Sequence, residues 1–184
     1  MDQDLGKLRR RPFFFPLVFP FLVLVGVLAA AIWLFDARAS TVVVIVRHAE
    51  VEGGADADPG LSVDGRERAA KLARMLSQAQ PVRGIDAIFA SELRRTQQTV
   101  IPLSEVLALP VNVVPSAGWA ELSQKILREH RGEYVLVAGN TNTIPALVKS
   151  LTGEEVTLRD DEYDAMFLVF APQVSKRKVV RLRY

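Results

Sequence analysis

The sequence predicts an α/β domain: a mainly parallel sheet flanked by helices on both faces, preceded by one N-terminal transmembrane helix. Three observations predict it. From residue 42 onward, short β-branched runs alternate with stretches of helical periodicity, the pattern of strand–crossover–strand units. Polar clusters at Arg47-His48, at 91–95 and at 140–143 follow three of the expected strands. Residues 13–35 carry no charge, unlike any other stretch of comparable length in the chain.

At the N-terminus, Lys7, Arg9, Arg10 and Arg11 crowd the basic segment 1–12, and Asp36 and Arg38 follow the apolar run. A helix over 13–35, rising about 1.5 Å per residue, is long enough to cross a hydrocarbon core of about 30 Å. The basic leading side puts the N-terminus in the cytoplasm and everything after residue 36 on the extracytoplasmic, periplasmic side of the inner membrane. Pro16 and Pro20 fall in the first half of the segment, where a kink is expected, and Trp33 stands near its far end as an interfacial anchor. A cleaved signal peptide is the competing reading, because Ala37-Arg38-Ala39 has the small-x-small form of a cleavage site. The apolar run, however, exceeds the roughly 7–15 residues usual for such a segment. Residues 36–41 read as a linker and 42–184 as a single domain.

The domain opens on Val42-Val43-Val44-Ile45-Val46, a β-branched run that reads as a buried strand. Residues 51–60 are loop by composition, rich in Gly and Asp and ending in Pro59-Gly60. Ser62 is placed to cap a helix over 66–79, whose Ala69, Leu72, Ala73 and Leu76 share one face. A strand over 85–90 leads to a helix over 92–107, which Pro102 is expected to bend or interrupt. Residues 111–114 form a short strand and 117–129 an amphipathic helix. Residues 134–138 are again an apolar strand, and 144–151 a helix that tolerates Pro145 in its first turn. Strands over 166–170 and 179–182 close the chain.

Composition removes several classes of function. The 184 residues carry 23 Lys+Arg against 21 Asp+Glu, a net +2 with no aromatic-basic interleaving, so nucleic acid is not an expected partner. There is no cysteine, hence no disulfide, thiolate metal site or cysteine nucleophile. The two histidines, His48 and His130, are far apart, and Asp56 and Asp58 fit a calcium loop poorly. No metal and no cofactor is expected.

If the first three clustered strands run parallel, their polar clusters emerge at one edge of the sheet, outside the carboxyl ends, where open α/β sheets bind ligands. Arg47-His48 then places a guanidinium beside an imidazole, one able to hold phosphoryl oxygens and the other to accept the phosphorus. Alone, His48 reads more readily as a structural histidine at a strand end; Arg47 beside it and Arg95 favour the functional reading. Ser91 reads first as a helix cap, Asn140 as a turn residue and Thr141 as a cap for the next helix. His130, beside Arg128 and Arg131, is explained by a cationic last helical turn, and Lys176-Arg177-Lys178 by a turn between strands.

The ordered motifs resemble the histidine phosphatase superfamily, whose members include phosphoglycerate mutase-like phosphatases. Val46-Arg47-His48-Ala49-Glu50 resembles its Arg-His-Gly/Ala motif, and the run from Ser91 to Thr99 its Ser-x-Leu-x-Arg-Ala-x-x-Thr. Leu61-Ser62 through Gly65 resembles its Leu-Ser-x-x-Gly element, and Glu162-Tyr163-Asp164 before a strand is similar to smaller bacterial members. The resemblance implies a phosphomonoester hydrolase acting on a small phosphorylated substrate. His48 would be the nucleophile that forms a phosphohistidine, and Arg47 and Arg95 would grip the phosphoryl oxygens, with Asn140, Ser91 and Thr141 as further phosphate contacts.

The family's second histidine usually follows a Gly after a strand. Here Gly139 leads into Asn140, which can donate a hydrogen bond but carries no charge. Reduced or altered activity is therefore expected, and the alternative is a membrane-tethered, non-catalytic module that binds a phosphate or other anionic ligand. Glu50, two residues beyond His48, is the candidate proton donor, with Glu121 behind it.

Overall fold

The computed structural model describes residues 15–38, 40–78, 84–115, 118–173 and 175–184. A long helix α1 (Phe15–Arg38) precedes the domain; residues 13 and 14 of the expected apolar segment, and the basic segment 1–12, lie outside the described residues. An 18-residue stretch of α1, Val18–Phe35, has a mean hydropathy of 2.6 and none of it is buried against the protein. Pro20 lies inside the helix without ending it. Helix α1 continues through Arg38 and the first strand begins at Thr41, so residues 39 and 40 alone separate them.

Among the described residues, eleven elements follow one another in the expected order. They are β1 (Thr41–Arg47), α2 (Val63–Gln78), β2 (Ala87–Ser91), α3 (Arg94–Leu107), β3 (Val111–Val114), α4 (Trp119–Glu129), β4 (Tyr134–Gly139), α5 (Thr143–Thr152), β5 (Ala165–Ala171) and β6 (Lys178–Arg183), with α1 ahead of them. The six strands form one sheet in the order β3-β2-β4-β1-β5-β6. β3, β2, β4 and β1 run parallel, while β5 and β6 are antiparallel additions on one side. Pro102 is carried within α3 without a break, so the interruption expected there does not occur. That helix begins at Arg94 rather than 92, because Glu92 and Leu93 bend off the end of β2.

Every residue of β1 is buried, which is why its sequence is an unbroken β-branched run rather than an alternating one. Val43 and Ile45 pack with Val135 and Val137 under α4 and α5, against Leu122, Ile126, Ile144, Leu147 and Leu151. Val44 and Val46 face the other way, with Ile88, Leu136 and Ala138, toward Leu72 and Ala73 of α2 and Val100 and Leu103 of α3. Two apolar layers thus hold β1 and β4 rigidly from both sides. The parallel register pairs Val46 with Ala138 and Arg47 with Gly139, so the polar residues that follow each strand leave the sheet side by side.

Two glycines permit the close approaches at that edge. A Cβ at Gly139 would lie 2.8 Å from the Thr143 hydroxyl and 3.0 Å from Trp119. A Cβ at Gly65 would collide with the carbonyl oxygen of Glu50; the first turn of α2 lies directly against the segment that leaves His48.

Candidate active site

The carboxyl edge of the sheet holds a hollow of about 310 Å³ lined by Arg47, His48, Val51, Arg95, Asn140, Thr141, Asn142, Asp160 and Tyr163. Residues expected from three separate sequence clusters meet here. β1 delivers Arg47 and His48, the first turn of α3 delivers Arg95, and the turn between β4 and α5 delivers Asn140 and Thr141. A larger groove, of about 580 Å³, lies elsewhere, between β3 and α4. It is lined by Phe89, Leu122, Lys125 and Arg128 among others and holds none of these groups.

His48 is 6% exposed. Its backbone N–H donates to Gly139 O at 3.1 Å, which ties it to the end of β4. Its ring Nδ1 lies 2.8 Å from the carbonyl oxygen of Ala49. A carbonyl can only accept, so Nδ1 carries the proton and Nε2 keeps its lone pair. Burial is the main reason the imidazole pKa drops from 6.5 to about 4, and the nearby Arg47 and Arg95 push it the same way against the bond to Ala49. The ring is therefore neutral at pH 7, the state required of a nitrogen nucleophile.

Arg47 is 5% exposed and has no carboxylate within ion-pair distance among the described residues. Its Nη1 donates to the carbonyl oxygens of Arg159 and Asp160 at 2.9 and 2.8 Å, and its guanidinium carbon stands 4.3 Å from the centre of the Tyr163 ring. Its Nε is buried without a partner. A buried cation held by neutral groups alone is costly, and such a group is chemically able to take an anion. Tyr163 also reaches the histidine, with ring centroids 5.8 Å apart and planes at 59°.

Arg95 stands on the opposite side in different company. Its Nη1 is 3.6 Å from Asp58 of the 51–60 loop. Asp58 also accepts from the Arg94 backbone N–H, at 3.0 Å to Oδ2. This is where the two aspartates of the loop serve: they pair with the arginines of α3, Asp56 reaching Arg94 at 3.7 Å. Among the described residues no cluster of metal-ligating side chains forms.

Asn140 sits at the hollow with its Oδ1 buried and unpartnered, while its backbone N–H donates to the Thr143 hydroxyl at 2.8 Å. The helix-start bond at this turn thus comes from Thr143, not from Thr141, which lines the hollow.

Three expected residues, Glu50, Ser91 and Glu121, stand outside the hollow. Glu50 forms a bidentate pair with Arg68 of α2, with Arg68 Nε 2.9 Å from both oxygens. That hydrogen bonding holds its carboxyl below the usual range, so Glu50 is ionised, engaged and poorly suited to give a proton. Ser91 is buried beneath the site, its hydroxyl 2.7 Å from that of Thr96, whose own oxygen donates to the turn at Ser91 and Leu93. Leu93, not Ser91, is the capping position of α3. Glu121 lies in the separate groove of α4. His130 is at the far end of the sheet, its Nδ1 2.7 Å from Glu133 and its ring edge-on to Phe89.

Asp160 and Tyr163 were missed as site residues, although the Glu162-Tyr163-Asp164 element had been noted. They enter because β5 is antiparallel: Met166 pairs with Val46, so the segment before β5 arrives at the carboxyl edge of β1. Glu162 organises that segment. Its Oε2 accepts from the Arg159 backbone N–H at 3.0 Å and from Arg181 Nη2 at 2.7 Å, and its Oε1 is 3.4 Å from Arg183 Nη2.

Residues 43–124 match the model of the histidine phosphatase superfamily (branch 1). A PE-PGRS family protein of Mycobacterium tuberculosis, PE_PGRS11, is 36% identical over 83 residues, covering 41% of this chain and 14% of that protein's length. Among solved structures, the protein histidine phosphatase SixA complexed with tungstate superposes with a TM-score of 0.62 at 22% identity, over 77% of this chain and 96% of that one. The phosphoserine phosphatase of Entamoeba histolytica in complex with 3-phosphoglyceric acid gives 0.59 at 12% identity, over 78% and 97%. A mycobacterial glucosyl-3-phosphoglycerate phosphatase with bound vanadate gives 0.57 at 18%, over 77% and 98%. These likenesses show a shared fold. Residues 43–124 are thus similar to the histidine phosphatase superfamily (branch 1), and the domain shares the fold of solved phosphatases.

Proposed function

We propose that the domain hydrolyses a phosphomonoester through a phosphohistidine formed on His48. The observation that carries this reading is the buried pair Arg47 and His48: a cation with no carboxylate within ion-pair distance among the described residues, beside a neutral imidazole whose Nε2 keeps its lone pair. Nε2 attacks phosphorus, the P–N bond forms as the P–O bond to the leaving group breaks, and the leaving oxygen takes up a proton. Water then attacks the phosphohistidine, releasing phosphate and restoring the ring. Arg47 and Arg95 neutralise the equatorial oxygens through both steps, the main requirement of phosphoryl transfer. Asp160 is the carboxylate on the rim of the hollow among the described residues, and it replaces Glu50 as our candidate to hand over the proton and take one from water.

Asn140 would stand where the family's second histidine is expected, offering a neutral hydrogen bond in place of a charge-assisted one. The loss is worth about 2–4 kcal/mol of transition-state stabilisation, tens- to nearly a thousandfold in rate. That substitution is also what favours a second reading, a non-catalytic binder of phosphate or another anion. One comparison separates them. The full-length chain, purified in detergent, should release phosphate from an aryl phosphate, and His48→Ala should reduce release to background. Equal rates for both proteins would refute hydrolysis, while saturable vanadate binding without turnover would establish the binder.

We propose that α1, exposed and apolar, anchors the chain in a membrane, and the basic residues Lys7, Arg9, Arg10 and Arg11 before it support an N-terminus inside and a domain on the periplasmic side. Retention of the chain in the membrane fraction after alkaline extraction is expected; its release would favour a cleaved signal.

A further inference from the structure

We propose that Glu162 is a positioning residue: its carboxylate clamps the segment 159–163 against β6 and thereby sets Arg47 and Tyr163 at the face of the hollow. This deepens, and rests on, the reading of the hollow as a phosphoryl site.

The chain of contacts is continuous. Residue Glu162 is 6% exposed. Its backbone N–H donates to Arg159 O at 3.2 Å, and its side chain returns to the Arg159 N–H at 3.0 Å, so the turn 159–162 is closed twice on itself. From outside, Arg181 Nη2 at 2.7 Å, Arg183 Nη2 at 3.4 Å and Arg159 Nη2 at 3.5 Å surround the carboxylate. The same Arg159 carbonyl that the turn fixes, together with that of Asp160, accepts from Arg47 Nη1. The next residue, Tyr163, supplies the ring on which the guanidinium rests. The described residues offer Arg47 no side-chain acceptor; its orientation depends on two main-chain oxygens, and their position depends on Glu162.

A carboxylate is needed rather than any acceptor of that size. Three guanidinium groups converge on it, and a neutral amide would leave them to repel one another around a buried centre. Once the turn loosens, Arg47 loses its fixed direction and water reaches the hollow.

The test uses Glu162→Gln in the full-length chain in detergent, with inorganic vanadate as probe and calorimetry as readout. Glu162→Gln should weaken vanadate binding about tenfold in an otherwise native chain and change it less than twofold in an Arg47→Ala background. Asp161→Asn, at an exposed acid beside the clamp, should leave binding unchanged. Wild-type affinity in Glu162→Gln, or an equal loss in both backgrounds, would overturn the proposal. A second readout needs no ligand. The His48 ring titration followed by NMR should move upward from about 4 in Glu162→Gln as water enters, and no movement would also overturn it. If the wild-type chain bound no vanadate, the phosphoryl-site reading would fail, while the His48 titration would still decide whether Glu162 sets Arg47. Arg181→Ala, which removes one exposed arm of the clamp, should act in the same direction more weakly, and covers the case in which the glutamine variant does not fold.

Discussion

The two arginines of the hollow are the same residue in opposite situations. Arg47 ends a fully buried strand, is held by carbonyls and an aromatic face, and has no carboxylate within ion-pair distance among the described residues. Arg95 rises from the first turn of a helix, with a side chain about one-fifth exposed, and already shares Asp58 of a surface loop. The difference separates two ways of preparing an anion site. One side is preorganised, so an arriving phosphoryl group gains the full interaction without moving protein. The other side is occupied, so a ligand must share or displace an ion pair before it gains anything, and solvent screens what it gains.

The largest expected effect tests that asymmetry. Arg47→Ala should lower kcat/KM for an aryl phosphate by about 3 kcal/mol, a hundredfold or more, whereas Arg95→Ala should cost about 1.4 kcal/mol, roughly tenfold. Equal losses in steady-state kinetics would erase the distinction. Next, Asn140→His adds a titratable donor to the hollow that holds both arginines and should raise kcat by tens of fold; a fall would mean that the amide has a role of its own.

A third expectation concerns stability. The unfolded chain takes up a proton on His48 near pH 6.5, the native chain only near 4. Between those values the unfolded state binds more protons, so this group's contribution is full above about 6.5 and falls away as the pH drops toward 4, on the order of 3 kcal/mol in total. Urea unfolding of the wild type from pH 7 to 4 should therefore decline more steeply than that of His48→Gln, and parallel curves would show that the ring is not buried neutral. The smallest effect runs in the opposite direction to the arginine losses. Asp58→Asn frees Arg95 and should tighten vanadate binding about two- to fivefold, measured by calorimetry at low salt. Unchanged affinity would place the Asp58 pair outside the binding equilibrium.

Much of this arrangement was legible in the sequence, for identifiable reasons. A strand buried on both faces needs an unbroken β-branched run, and Val42 to Val46 announces itself that way. Parallel neighbours end at one edge, so the clusters after β1 and β4 had to meet. What was not legible depends on strand direction and on long-range partners. The apolar run of β5 reads the same whichever way it points, and only its antiparallel register brings Asp160 and Tyr163 to the hollow. Glu50 is adjacent to the motif in sequence, yet its side chain is taken by Arg68, a residue of the helix packed across from it. Ser91 lies directly below the site but spends its hydroxyl on Thr96. Pro102 fits within α3, since losing one backbone hydrogen bond does not outweigh a helix face packed through Val100 and Leu103.

β1 joins the end of α1 to His48 with nothing between but residues 39 and 40. Seven extended residues at about 3.3 Å each make a strut of roughly 23 Å, stiffened by packing on both faces. With α1 in a bilayer, that strut would allow the hollow to stand up to roughly 23 Å from the helix end, a reach longer than the roughly 8 Å over which headgroup charge is felt at physiological salt.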